Sequence, residues 1–158
     1  MSRPPRLSHF SYKGQYRYFL TACCFSRQNL FVHSDTVADT LVQFRKTSNE
    51  EAFEILAYCL MPDHGHFLVE GMEDRSDFKR FCRLAKQRSG SAHARATGGP
   101  LWQEGYHERV LRQNEDLRAV ARYLLNNPVR AGLVTSPIDY PYLGSDRWTI
   151  EGLIDAQQ

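Results

Sequence analysis

The stretch Phe53-Glu54-Ile55-Leu56-Ala57-Tyr58-Cys59-Leu60-Met61-Pro62-Asp63-His64-Gly65-His66-Phe67-Leu68-Val69 decides how the chain folds. Phe53 to Leu60 is an apolar, β-forming run of strand length, and His64 to Val69 is a second one. Met61-Pro62-Asp63 between them reads as a turn, because Pro presets φ and Asp favours turn geometry. Two strands joined so tightly form an antiparallel hairpin. Side chains on a strand alternate, so His64 and His66 emerge on one face with only the hydrogen of Gly65 between them.

Working outward, Tyr16 to Phe25 is aromatic and β-forming and reads as a first strand. Ser34 or Asp35 can cap a helix in which Val37, Leu41, Val42 and Phe44 recur at helical spacing, ending near Asn49. Beyond the hairpin, Asp77 to about Arg88 reads as a helix with Phe78, Phe81, Cys82 and Ala85 inward. Ser89 to Pro100 reads as a fraying helix end and a loop closed by Gly98-Gly99-Pro100. Leu101 to Leu111 is a fourth strand. Asn114 or Glu115 opens a third helix with the stripe Leu117, Val120, Ala121 and Leu124, and Pro128 ends it. The order β-α-β-β-α-β-α opens as a ferredoxin-like split βαβ. The expected fold is therefore α+β: an antiparallel four-stranded sheet with two helices on one face, plus an additional C-terminal helix. Residues 1–158 are expected to form a single domain, with 135–158 as a tail packing through Asp139-Tyr140-Pro141-Tyr142 and Trp148.

The composition suits a globular domain: 158 residues, 42% hydrophobic, 24% charged, net charge +2. No run of eighteen apolar residues exists, so no membrane span is expected. Met1 to Arg6 lacks the apolar stretch of a signal peptide. Cys23, Cys24, Cys59 and Cys82 match no zinc spacing and read as reduced thiols of a cytoplasmic protein. The charge is unevenly spread. Between Arg75 and Arg95 seven bases stand against one acid, Asp77, and the first nineteen residues carry Arg3, Arg6, Lys13 and Arg17 and no acid. A basic face on a nearly neutral protein suits a polyanion docking on one side, although a solvated helix also tolerates Lys and Arg.

Two imidazoles on one strand face are half of a metal site. The bland alternative is one core histidine and one exposed. With no zinc-like cysteine pattern, two neutral imidazoles plus an oxygen ligand and open positions suit Mg²⁺ or Mn²⁺, which can polarise a phosphate oxygen. On the last helix Tyr123 and Asn127 are four apart and share a face at the border of the apolar stripe. Tyr123 could equally be an amphipathic packer, and Asn127 a cap for a turn at Pro128. Spacing does not reveal whether their face meets the histidines.

These residues carry a resemblance. Leu60-Met61-Pro62-Asp63-His64-Gly65-His66-Phe67-Leu68-Val69 resembles the metal-binding strand of the IS200-like single-tyrosine (Y1) transposases, a family of HUH endonucleases. Trp102 to Arg112, then Tyr123-Leu124-Leu125-Asn126-Asn127-Pro128-Val129-Arg130-Ala131-Gly132-Leu133-Val134, is similar to its REP-associated tyrosine transposase branch. The resemblance implies a ferredoxin-like domain in which His64 and His66 bind the metal, Tyr123 is the nucleophile and Asn127 is the third ligand. Gly65 departs from the bulky hydrophobic usual between the histidines. Tyr106, near Arg109 and Arg112, is a rival nucleophile.

The function so implied is metal-dependent cleavage and transfer of single-stranded DNA beside hairpins such as REP-like palindromes. It would proceed through a 5′-phosphotyrosine and serve transposition or recombination. Arg80, Arg83, Lys86, Arg112 and Arg130 are the expected DNA contacts. The wider family acts as dimers, whereas the branch is expected to be monomeric. Two other classes compete: a non-catalytic ferredoxin-like nucleic-acid-binding module, and a metal hydrolase that uses water in place of Tyr123.

Overall fold

A computed structural model describes residues 9–155; Arg3 and Arg6 lie outside the described residues. Five strands form one antiparallel sheet in the order β4-β1-β3-β2-β5: β1 (Arg17–Cys23), β2 (Phe53–Met61), β3 (His64–Gly71), β4 (His107–Val110) and β5 (Leu143–Gly144). The first four are the split βαβ arrangement the element order predicts. Helices α1 (Ser34–Glu50) and α2 (Phe78–Thr97) cover one face. The other face is covered by α3 (Leu117–Leu125), α4 (Asn127–Arg130), α5 (Ile150–Asp155) and the segment joining them.

Both faces of the sheet are therefore buried. Against α1 and α2 lies an aromatic core, with Tyr18 stacked on Phe78 at 3.9 Å between ring centroids and Phe44 on Phe67 at 4.2 Å. The opposite core is aliphatic, with Leu56, Leu68, Ala121 and Leu124 fully buried. A bulge at Ile55/Ala57 switches the phase of β2 between them. Phe53 and Ile55 face the aromatic core before the bulge, and Leu60 faces it afterwards. Leu56, Ala57, Cys59 and Met61 then belong to the aliphatic core. The phase switch places Cys59 and Met61 opposite His66 and His64.

Several elements differ from the sequence reading. The sheet has a fifth strand, because Leu143-Gly144 pairs with Tyr58 and Cys59 at the far edge. Ahead of it the Tyr140 hydroxyl donates to Leu60 O at 2.6 Å. The first two helices share one face as expected, and the additional C-terminal helix packs on the other. α2 runs to Thr97, nine residues beyond Arg88, and stops at Gly98 in the left-handed region (φ 80°). Its Ser-, Gly- and Ala-rich second half stays helical because His93 is buried and Ser89 accepts from Trp102 Nε1 at 2.9 Å. Tertiary packing outweighs propensity there. β4 is four residues long, and Leu101 to Tyr106 is a loop held to the end of β1 by Gln103 N donating to Cys23 O and by an isolated bridge between Trp102 and Cys24. Val42, expected inside, is 59% exposed. Asp116 caps α3, accepting from Arg118 N and Ala119 N.

Gly71 sits where β3 passes the backbone of Gly14, and a Cβ there would lie 2.2 Å from Gly14 O. Backbone cannot give way as a side-chain end can. Gly71→Ala should lower the unfolding free energy by about 2–3 kcal/mol, read as a lower urea midpoint at unchanged slope. An unchanged midpoint would refute this packing.

Candidate active site

His64 and His66 stand at the start of β3 on the face that α3 and α4 cover. Their Nε2 atoms approach to 3.1 Å, with the rings edge to face. Each ring is held from behind. His64 Nδ1 meets Asp63 Oδ1 at 2.6 Å, and His66 Nδ1 meets Thr21 Oγ1 at 2.9 Å across the β1–β3 pair. Asp63 is in turn gripped by Arg27, whose Nε and Nη2 reach Asp63 Oδ2 at 3.0 and 2.9 Å. Partial burial works against the Asp63 charge, but His64 and Arg27 outweigh it and hold the carboxyl below its ordinary range. Arg27 comes from a turn in which Ser26 and Arg27 both take positive φ, 51° and 54°. That backbone conformation is costly for residues with a Cβ, and the Arg27–Asp63 pair is what it delivers.

This is how metal-ligating histidines are commonly supported: an outer hydrogen bond fixes tautomer and ring orientation. With both Nδ1 atoms donating outward, two Nε2 lone pairs face one another, and a proton or a cation must lie between them. Two nitrogens cis on an octahedral ion, with bonds of about 2.1 Å, would be about 3.0 Å apart. The donor set therefore fits a small divalent ion. Burial first, and then the charges of His64 and Arg130, push the pKa of His66 down to about 3. The ring is thus neutral, as a ligand must be.

Gly65 points to the aromatic core. A Cβ there would be 2.9 Å from Leu60 Cδ2 and 3.2 Å from Phe67 Cε2, so these two side chains fill the space a bulkier residue would need.

Tyr123, Asn127 and Arg130 lie on the imidazole side of the sheet. Tyr123 is 62% exposed, and the Arg130 guanidinium covers its ring at 3.9 Å from the centroid. Arg130 Nη2 also donates to Asn127 Oδ1 at 2.9 Å, and its charge is felt at His66 and Cys59. Arg130 thus touches the tyrosine ring and the asparagine and acts electrostatically on His66, a fuller role than an outlying phosphate contact. The continuous helix expected through Asn127 breaks at Asn126. Pro128 has no N–H for Leu124 O, and Asn127 Nδ2 donates to that carbonyl at 2.9 Å instead. Among the described residues no hydrogen bond joins Asn127 to either imidazole, and its oxygen keeps one lone pair beyond that used by Arg130.

The other expected residues are elsewhere. Arg80, Arg83 and Lys86 are on α2, in the opposite layer. Arg80 pairs with Glu51 at 2.9 Å, and Lys86 Nζ donates to Gln103 O and Gly105 O. Arg88 of α2 pairs with Glu50, and Arg75, ahead of the helix, with Glu73, so part of this basic stretch is paired with carboxylates around it. Arg112 follows β4, its backbone N–H bound by Glu115. Tyr106, the rival nucleophile of the sequence reading, packs against Phe78 in the aromatic layer, across the sheet from the histidines. Asp63, Thr21 and Arg27 were missed as site residues. Only the direct succession of Asp63 and His64 could have signalled one of them.

In the metal-free protein the unfolded chain takes up a proton at His66 near pH 6.5, which the folded chain refuses until about pH 3. The stability this residue contributes is therefore full above about pH 6.5 and lost as pH falls below it, by up to about 1.4 kcal/mol per pH unit. Nitrogen-15 NMR should find the His66 ring still neutral at about pH 5; an imidazolium there contradicts the burial described.

The profile of the family described as "Transposase IS200 like" matches residues 12–127. A REP-associated tyrosine transposase of Escherichia coli K12 is 30% identical over 108 residues, which are 68% of this chain and 64% of the relative. A solved structure of a REP-associated tyrosine transposase bound to a REP hairpin superimposes with a TM-score of 0.72 at 26% identity, covering 90% of this chain and 82% of that one. Because that profile spans most of the chain, the chain belongs to the IS200-like transposases, and it is similar to their REP-associated tyrosine branch.

Proposed function

We propose that this transposase cleaves and rejoins single-stranded DNA beside a hairpin through a covalent bond to Tyr123. What carries the reading is that Tyr123, Arg130 and the paired imidazoles share one face of the sheet. His64, His66 and the remaining lone pair of the Asn127 oxygen are the ligands for Mg²⁺ or Mn²⁺. When bound, such an ion withdraws charge from a non-bridging phosphate oxygen.

The chain's own residues do the rest. Tyr123 Oη attacks phosphorus and gives up its proton; the bond from phosphorus to the 3′ oxygen breaks, and that oxygen leaves as a 3′-hydroxyl. The product is a 5′-phosphotyrosine, whose retained bond energy lets a second 3′-hydroxyl reverse the step without ATP. Arg130, lying on the Tyr123 ring, limits its rotation and brings positive charge beside the attacked phosphate. Asp63 and Thr21 keep the imidazoles aimed, and Arg27 keeps Asp63 in place. Arg112 supplies a phosphate contact on the β4 side, with Arg83 and Lys86 on α2. Hairpin recognition is carried over from the REP-hairpin complex of the solved relative. A monomer in the cytoplasm, acting in transposition or recombination of palindromic repeats, completes the proposal.

The test is incubation of the protein with labelled single-stranded hairpins and Mn²⁺, read on a denaturing gel. The native chain should yield a protein–DNA adduct. Tyr123→Phe should yield none and bind the hairpin with affinity within about twofold of native. Continued cleavage by Tyr123→Phe with free 5′-phosphates would instead identify water as the nucleophile.

A further inference from the structure

Between the second half of α2 and the loop 100–106 runs a groove of about 690 Å³. It lies in the layer opposite the imidazoles, and the chemistry above uses none of its aromatic residues. Gly90 lines it beside Trp102: an added Cβ would stand 3.8 Å from Trp102 Cδ1, in ordinary contact, so a longer side chain there would project into the groove. Trp102 is tied by its Nε1–H to Ser89 Oγ, and the loop beyond it by Lys86 to two carbonyls. Tyr106 closes the far end, with the Lys86 ammonium 5.9 Å from its ring centroid. The walls are mainly apolar, while Lys79, Arg83 and Lys86 supply positive charge and Glu104 is the single acid of the lining.

Two half-buried aromatic rings held in place, with cations alongside, make a platform for unpaired bases and their phosphates. A groove of this volume is of the size that takes ligands of one or two nucleosides. The topology supplies a route onward. Tyr106 leads directly into β4, the edge strand, where His107 pairs with Thr21 and Arg109 with Phe19. Directly opposed residues share a face, and Thr21 touches His66, so His107 and Arg109 are on the imidazole side. β3 lies two strands in from that edge, about 10 Å at ordinary strand spacing.

We propose that this groove is a single-stranded DNA site, in which bases flanking the hairpin stack on Trp102 and Tyr106 while Arg83 and Lys79 hold their phosphates, and from which the strand rounds the β4 edge to the imidazoles. The proposal rests on the DNA-cleavage reading above and adds to it the path of the substrate. It also explains how cations of α2 can meet the DNA although they lie across the sheet from the reacting groups.

The chain has two tryptophans, so Trp148→Phe leaves Trp102 as the single indole. Its emission is titrated with a hairpin bearing a four-nucleotide single-stranded flank, with the same hairpin cut blunt, and with the flank alone. The flanked hairpin and the free flank should quench Trp102 saturably, and the blunt hairpin should not. In the otherwise native chain, Gly90→Leu should weaken binding of the flanked hairpin about tenfold by fluorescence anisotropy and leave blunt-hairpin affinity unchanged. Absence of quenching by either single-stranded probe, or equal quenching by the blunt hairpin, overturns the groove assignment. If the Tyr123 adduct still forms in that case, only the path has failed; if the adduct is also missing, the cleavage reading has failed on its own test.

Discussion

Two imidazole nitrogens held 3.1 Å apart, each ring hydrogen-bonded from behind, impose a condition that much of the molecule serves. Lone pairs so placed repel unless something positive lies between them, and a partly buried ring resists taking the proton itself. The rings cannot turn away, because Thr21 and Asp63 hold them and Arg27 holds Asp63. The hairpin tip is fixed as well: Pro62 O accepts from Phe31 N and Asp63 O from Cys24 N, so the turn is clasped by the segment that also carries Arg27. The strained backbone at Ser26 and Arg27 belongs to this same support.

The sheet then decides what faces the pair. The bulge in β2 re-phases that strand, so that small or flexible Cys59 and Met61 oppose the histidines while Leu60 fills the space beside Gly65. Burial pushes the Cys59 thiol up to about 12, which keeps it an inert neighbour. Above them the break at Asn126 and Pro128 frees Arg130 from the line of α3 and turns it across Tyr123. One guanidinium thereby links the tyrosine ring, the Asn127 amide and the field at His66. An Arg suits this place better than a Lys, since its plane stacks on a ring while its edge donates to an oxygen.

Much of this was legible in the residues. The hairpin and the shared face of His64 and His66 follow from period-two alternation alone. The inward set Phe78, Phe81, Cys82 and Ala85 follows from helical spacing, and all four are fully buried. Contacts distant in sequence were not legible. The full length of α2 depends on Trp102 meeting Ser89, and its charge balance depends on Glu50 and Glu51 at the end of α1. The fifth strand is two residues long, too short to give a pattern. Spacing put Tyr123 and Asn127 on one helix face and the family resemblance implied their roles, while the stacking of Arg130 on Tyr123 depends on a helix break whose geometry a sequence does not print. The opposition of α2 and the imidazoles, on different faces of one sheet, likewise needed the packed structure.

The central claim is that the paired imidazoles hold a divalent ion toward the face on which Tyr123 stands. Anomalous X-ray diffraction at the manganese edge, from crystals of the full chain grown with Mn²⁺, tests it most directly. The account predicts a single strong peak within about 2.2 Å of both Nε2 atoms, with the free lone pair of Asn127 Oδ1 turned to it. A peak elsewhere on the molecule, or imidazoles rotated apart with no manganese between them, would contradict it.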